Sequence, residues 1–180
     1  GGSMIDYSSF LSTLRETSLD RSKGESLLMD ERRRVVNYDA MVDEICSLYR
    51  SGDNYSSSDC IALSQGSLLF IEFKNQKLSR IDSDRIRKKA FDTIGLFTFL
   101  EDRMGWQKRD KKYVVLYDED DIPSWSAYRS RLYSFGGKME RVGLKFGLEK
   151  YRAFYSDILT LSAEDFFNSE LYRDMEEIVL

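Results

Sequence analysis

The chain reads as an α/β protein with a mixed central β-sheet flanked by helices, and three observations carry that reading. A short segment, Asp59 to Ser64, meets the strand-rich run Ser67 to Lys74 across Gln65-Gly66. Two such runs joined by a Gly-containing two-residue connection form a β-hairpin. From about Arg85 to Met104 the residues Ile86, Ala90, Ile94 and Phe97 recur on one face at helical spacing, and Phe91, Leu96, Phe99 and Leu100 extend it. Lys112 to Tyr117 is then a strand, apolar at its centre and therefore interior. Hairpin, helix and strand in that order predict one sheet with the long helix packed on it.

The remaining elements follow along the chain. Gly1-Gly2-Ser3 before Met4 reads as a cloning remnant, so a single domain is expected over 4–180. From Ile5 to about Arg50 the reading is helical: proline is absent, and Leu27, Leu28, Val35, Met41, Ile45 and Leu48 fall at mostly helical spacings. Asp30-Glu31-Arg32-Arg33-Arg34 is then a solvated helix face, and Ser51-Gly52-Asp53-Asn54 is a stop. Asp82, Ser83 or Asp84 caps the long helix. Asp118 to Ile122 is an acidic loop, and Pro123 opens a helix that runs to about Phe135 and ends at Gly136-Gly137. Arg152 to Leu161 reads as a fourth strand. Ser162 caps a final helix whose first turn carries Glu164 and Asp165.

Composition narrows the chemistry. The 180 residues include 27 Lys or Arg and 31 Asp or Glu, for a net charge of -4, and no histidine. Mechanisms that need an imidazole base, nucleophile or ligand are excluded, among them Ser-His-Asp hydrolases and His-ligated zinc enzymes. Two cysteines, Cys46 and Cys60, make neither a zinc site nor a disulfide framework, and both read as packed residues. No apolar run approaches the length of a membrane span, and a cytoplasmic location is expected. The net negative charge opposes indiscriminate coating of nucleic acid but leaves room for a locally basic groove. Carboxylates, lysines, hydroxyls or a hard metal must carry any catalysis.

The hairpin supplies such a group. With Gln65-Gly66 as the turn, Asp59 lies opposite Glu72, and Asp59, Ile61 and Leu63 share a face with Leu68, Phe70, Glu72 and Lys74. Two like charges about 5 Å apart repel by roughly 3 kcal/mol at an effective dielectric near 20. A divalent cation resolves the conflict, since carboxylate oxygens suit Mg²⁺ or Mn²⁺. Lys74 points the same way and can orient a water or stabilise a phosphate. The plainer alternative is an edge hairpin whose Glu72 and Lys74 form a solvated ion pair worth ~0–1 kcal/mol. From Lys74 to Lys89 there are seven basic side chains against two acidic ones. Lys77, Arg80, Arg85, Arg87, Lys88 and Lys89 follow Lys74 into the start of the long helix, which suits a phosphate-backbone track. The alternative there is a solvated basic helix face.

Asp59, twelve intervening residues and Glu72-Phe73-Lys74, within Phe-Ile-Glu-Phe-Lys-Asn, resemble the PD-(D/E)xK phosphodiesterase superfamily with its restriction-endonuclease-like core. The resemblance covers roughly Tyr38 to Tyr117. It implies that Asp59 and Glu72 bind Mg²⁺ and that Lys74 assists the attacking water. Many members carry a further Glu on the preceding helix; Glu44 is the best-placed match, with Asp43 and Glu25 behind it. The Pro of the signature is Ser58 here, and the helical Gln-x-x-x-Tyr element of some branches is missing after Lys74. The function implied is a metal-dependent nuclease acting on DNA or RNA, in a setting like bacterial defence systems or mobile elements. A competing reading is an inactive fold serving as an immunity- or inhibitor-type protein-binding module or a homodimer. Tyr128, Tyr133, Tyr151, Tyr155 and Tyr172 would be its surface aromatics.

Overall fold

The computed structural model describes residues 6–28, 32–49, 55–118 and 145–179. Within them a mixed sheet runs in the order β1 (Leu11–Thr13), β4 (Arg34–Asn37), β5 (Cys60–Ser64), β6 (Ser67–Lys77), β7 (Lys111–Asp118) and β8 (Asp157–Ser162). The short β9 (Met175–Glu176) also pairs with β5. Strands β6, β7 and β8 are mutually parallel, and the other pairings in the sheet are antiparallel. Helix α3 (Ser83–Met104) is the crossover that the parallel β6–β7 pair requires.

Helices cover both faces. Tyr38, Met41 and Val42 of α2 (Tyr38–Leu48) join Ile86, Ala90, Phe97 and Leu100 of α3 over Ile61, Leu68, Phe70, Tyr113 and Val115. Phe70 is the hub, with ring centroids 4.9 Å from Phe97 and 5.7 Å from Tyr38, both edge-on. On the opposite face, Leu14 of α1 (Leu14–Thr17), Phe166 of α4 (Ala163–Phe167) and Leu171 of α5 (Glu170–Arg173) close over Val35, Cys60, Leu69, Ile71 and Val114. Adjacent residues of β6 thus enter opposite cores, which is why that strand reads as an unbroken apolar run.

The hairpin register is the expected one, with Cys60 paired to Ile71 and Ser64 to Ser67. Gln65 and Gly66 take φ of 52° and 75°, the two positive values a type I′ turn demands. Asp82 caps α3 by accepting from the Asp84 N–H, and Gly105 ends it in the left-handed region.

The N-terminal reading needs correction. Helix occupies Tyr38–Leu48, but the described residues before it hold α1, the edge strand β1, its neighbour β4, and a small hairpin of β2 (Leu19–Asp20) with β3 (Glu25–Ser26). Val35 and Val36 are buried in opposite cores, a strand's alternation that also satisfies a loose helical spacing. Arg32 to Arg34 are therefore on no helix face: Arg34 lies in β4 beside Glu177, and Arg33 stacks over the Tyr172 ring at 4.6 Å, while Asp30 and Glu31 lie outside the described residues. Strand β8 starts at Asp157 because residues 149–153 form a 3₁₀ turn. The final helix is split where Ser169 caps a second one. Tyr155 is core rather than surface, its hydroxyl donating to the Ala90 carbonyl at 2.6 Å. Tyr151 and Tyr172 are half-buried. Asp118, expected in an acidic loop, ends β7; the rest of that loop, the Ser51-Gly52-Asp53-Asn54 stop, the helix after Pro123, Tyr128 and Tyr133 lie outside the described residues.

Two glycines give opposite expectations for one substitution. Gly66→Ala places a Cβ in the left-handed region and lowers stability by about 1 kcal/mol. Gly95 sits mid-α3 with open space where a Cβ would go, so Gly95→Ala raises stability by about 0.5–1 kcal/mol. Urea unfolding of both variants checks the pair of signs.

Candidate functional site

Glu72 lies on the central strand and its side chain is fully buried on the α3 side of the sheet. A carboxylate in that position demands compensation, because desolvating an unpaired charge costs several kcal/mol. Two ammonium groups supply it. Lys74 Nζ and Lys89 Nζ each lie 2.8 Å from Glu72 Oε1, and Lys89 also donates to Oε2 at 3.0 Å. Glu72 Oε1 nonetheless accepts no aligned hydrogen bond, so charge alone holds it.

Asp59 enters from the residue before β5. Its N–H donates to the Ile71 carbonyl at 3.0 Å, and its Oδ2 accepts from the Phe73 N–H at 2.6 Å. Backbone and side chain are both tied to β6. Its Oδ1 lies 3.9 Å from Lys89 Nζ, so one ammonium serves both carboxylates. Burial and the like charge of Glu72 push the Asp59 carboxyl well above the ordinary range, against the opposing pull of Lys89, the Phe73 N–H and Lys74. For Lys89, burial works to lower the ammonium, but Glu72, Asp59 and more distant Asp39 outweigh it and the net shift is upward.

Helix α3 also holds the approach to Asp59. Asp92 accepts from the Ser56 N–H at 3.0 Å, and Thr93 Oγ1 accepts from the Ser58 N–H at 2.8 Å. Tyr38 in turn donates to the Thr93 carbonyl at 2.9 Å. A proline at 58 would have no N–H to give Thr93, so serine at this position has a local structural use.

The structure thus brings Asp59, Glu72 and Lys74 together. It does not place Glu44 with them: Glu44 is exposed on α2. The acid of α2 that acts on the site is Asp39, five positions earlier and about 140° around the helix, which accepts from Ser57 Oγ at 2.9 Å and bears on Lys89. Asp43 is exposed on the side of Asp39, and Glu25 lies on β3. The basic run divides. Lys89 turns inward to the carboxylates. Arg87 donates to the Phe146 carbonyl at 2.9 Å and pairs with Asp84, and Lys88 pairs with Asp92 at 2.8 Å. Lys77, Arg80 and Arg85 are exposed, Arg85 one helical turn before Lys89. The role of Lys89 was readable in principle, since it flanks the buried stripe of Ile86, Ala90 and Thr93.

A pocket of about 160 Å³ opens beside the pair, with Asp59 and Lys74 on one wall and Thr17 to Asp20 on the other. Asn75 and Gln76 line its end. The β2–β3 hairpin is latched over this end of β6: the Asn75 amide donates to the Glu25 carbonyl at 3.3 Å, and Lys23 donates to the Asn75 carbonyl. Among the described residues no group of three or more His, Cys, Asp or Glu side chains is gathered for a metal. Two carboxylates suffice for Mg²⁺, which keeps several waters and shares substrate phosphate, and the buried, unaligned Glu72 Oε1 fits that use. No helix among the described residues is long and apolar enough to cross a membrane.

The chain matches no family model, and no curated protein or solved structure is significantly similar to it.

The raised Asp59 carboxyl gives a signed expectation. The folded chain keeps this proton to higher pH than the unfolded chain. The associated stability is therefore complete below the ordinary value of 3.8 and is lost as pH rises through the folded value. Asp59→Asn keeps an acceptor for the Phe73 N–H and removes the buried charge. In chelator it raises the melting temperature at about pH 8 and flattens the decline from about pH 4 upward. Melting curves across that range check it.

Proposed function

We propose that the protein is a metal-dependent nuclease that hydrolyses phosphodiester bonds in DNA or RNA. The observation that carries this reading is the convergence of Asp59, Glu72, Lys74 and Lys89 around the middle of β6, beside an open pocket that Asp59 and Lys74 line. Opposed carboxylates on a central strand are an expensive arrangement for stability alone. It becomes useful where a divalent cation and a phosphate are to be held together.

In this reading Asp59 and Glu72 hold Mg²⁺ or Mn²⁺, which supplies Lewis-acid polarisation of the phosphate and a water nucleophile at neutral pH. The chain's own groups do the rest. The bonds from Ile71 and Phe73 fix Asp59 against β6, so its carboxylate keeps its position without reorganising. Lys74 lies at the pocket wall with about a fifth of its side chain exposed, where its ammonium meets a phosphate oxygen and offsets the charge that grows there during displacement. The apolar floor of Phe70 and Val115 keeps water from the buried side of Glu72. Arg80 and Arg85, exposed beyond the strand end and on the first turn of α3, carry the flanking backbone phosphates.

A second reading is favoured by one specific observation: two carboxylates and two ammoniums already neutralise one another. A protein-binding module of immunity or inhibitor type keeps such a set as a structural ion pair. Exposed Phe91, Phe99 and Phe154 offer apolar surface to a partner, with Phe91 and Phe154 in edge contact at 6.0 Å.

Cleavage of mixed DNA and RNA in Mn²⁺ separates the readings. Lys74→Ala lowers the rate by a factor on the order of 10²–10³ while leaving metal binding largely intact. Glu72→Gln weakens both. Cleavage that survives both substitutions belongs to a contaminant. Absence of cleavage, together with a melting temperature that saturating Mn²⁺ does not move, leaves the binding module.

The surface cations give an independent expectation. Arg80→Glu with Arg85→Glu weakens nucleic-acid binding for all sequences alike and flattens its salt dependence, since each phosphate contact releases counterions. Filter binding over a salt series measures it, and unchanged affinity at low salt removes these residues from the interface.

A further inference from the structure

We propose that Lys89 is a built-in counter-ion that occupies the cation position between Asp59 and Glu72 and must swing out for a divalent metal to enter. The inference rests on the metal-dependent reading of the site and concerns what controls its loading.

The geometry distinguishes Lys89 from Lys74. Lys74 Nζ touches Glu72 through Oε1 alone, from the same strand two residues on. Lys89 Nζ reaches both Glu72 oxygens, at 2.8 and 3.0 Å, and lies 3.9 Å from Asp59 Oδ1. It therefore stands where a cation shared by the two carboxylates would stand. Mg²⁺ sits about 2.0–2.1 Å from its carboxylate oxygens, and no such position between Asp59 and Glu72 is compatible with an ammonium already in contact with both oxygens of Glu72. A dication and an ammonium side by side also repel.

Lys89 has somewhere to go. Its stem rises from α3, with 14% of the side chain exposed, and Asp39 on α2 already bears on its charge. Arg85 marks the solvent side one turn away. A flexible four-carbon stem lets the ammonium leave Glu72 without moving the helix. Before it leaves, the site's four charges cancel. Once a dication replaces it, the released ammonium and the metal form a positive pair, and a phosphodiester is the anion that fits between them. Metal and nucleic acid then favour each other's binding.

The experiment is Mn²⁺ titration of the full chain by calorimetry, with melting temperatures in chelator and in Mn²⁺, for wild type, Lys89→Met and Lys89→Gln, with Lys74→Met as comparison. Removing the counter-ion lowers the melting temperature in chelator. It also tightens Mn²⁺ binding by about tenfold or more, so that Mn²⁺ recovers more melting temperature in the Lys89 variants than in wild type. Lys74→Met tightens binding less. The Gln variant retains a polar head, so folding does not depend on a methionine being accepted there. A merely structural lysine predicts lower stability with no gain in affinity. If wild type binds Mn²⁺ and neither Lys89 variant binds it more tightly, this proposal fails while the nuclease reading stands. If none of the proteins binds Mn²⁺, both fail.

Discussion

A carboxylate buried on a central strand is the constraint from which most of this molecule follows. Glu72 is flanked by β5 and β7 and roofed by α3, and bulk solvent does not reach it. Such a charge persists only if cations are delivered to it, and a strand can deliver one of them itself, two residues on, as Lys74. The second has to come from another layer. Helix α3 must dock with one chosen side chain, Lys89, aimed at the sheet, which ties the rotation of the helix to the chemistry of the strand. Apolar packing of Ile86, Ala90 and Phe97 sets the same rotation, so electrostatics and the hydrophobic effect agree on one arrangement.

Asp59 adds a second carboxylate to a place that already strains to hold one. The chain accepts this by locking the residue rather than by relieving it. Three backbone N–H groups, of Ser56, Ser58 and Phe73, are spent on Asp92, Thr93 and Asp59 itself. The outcome is a fixed pair of acids with the ammoniums of Lys74 and Lys89 around them. Rigid acceptors with long, flexible lysines suit a site in which ions exchange, because only the lysine stems need to reorganise.

The β2–β3 hairpin gives the site its outer wall. Among the described residues it is hydrogen-bonded to β6 through Lys23, Asn75 and the backbone of Glu25, at the strand's exposed end. Access to Asp59 and Lys74 is thus bounded on one side by a small polar element rather than by the core.

Features that depend on neighbours in sequence were legible in the sequence. The Gln65-Gly66 turn set the register of β5 against β6, and that register put Asp59, Glu72 and Lys74 on one face. The Asp82 cap and the stripe of Ile86, Ala90 and Phe97 defined α3, although Phe91 and Phe99, expected to extend that stripe, are exposed, and the apolar centre of β7 marked it as interior. The errors arose where pairing is remote. Val35 and Val36 fit a helical spacing as well as a strand's, and only pairing with β1 and β5, each more than twenty residues away, decides for β4. The partners of Lys89 and Arg87 depend on how far α3 is rotated over the sheet, so a single basic run became an internal counter-ion, a structural clamp on Phe146 and a surface charge. The acid from α2 that bears on the site is Asp39 rather than Glu44 for the same reason: a residue's place on a helix is local, but which side of the helix meets the sheet is settled by packing of Tyr38, Met41 and Val42 against a core assembled from the whole chain.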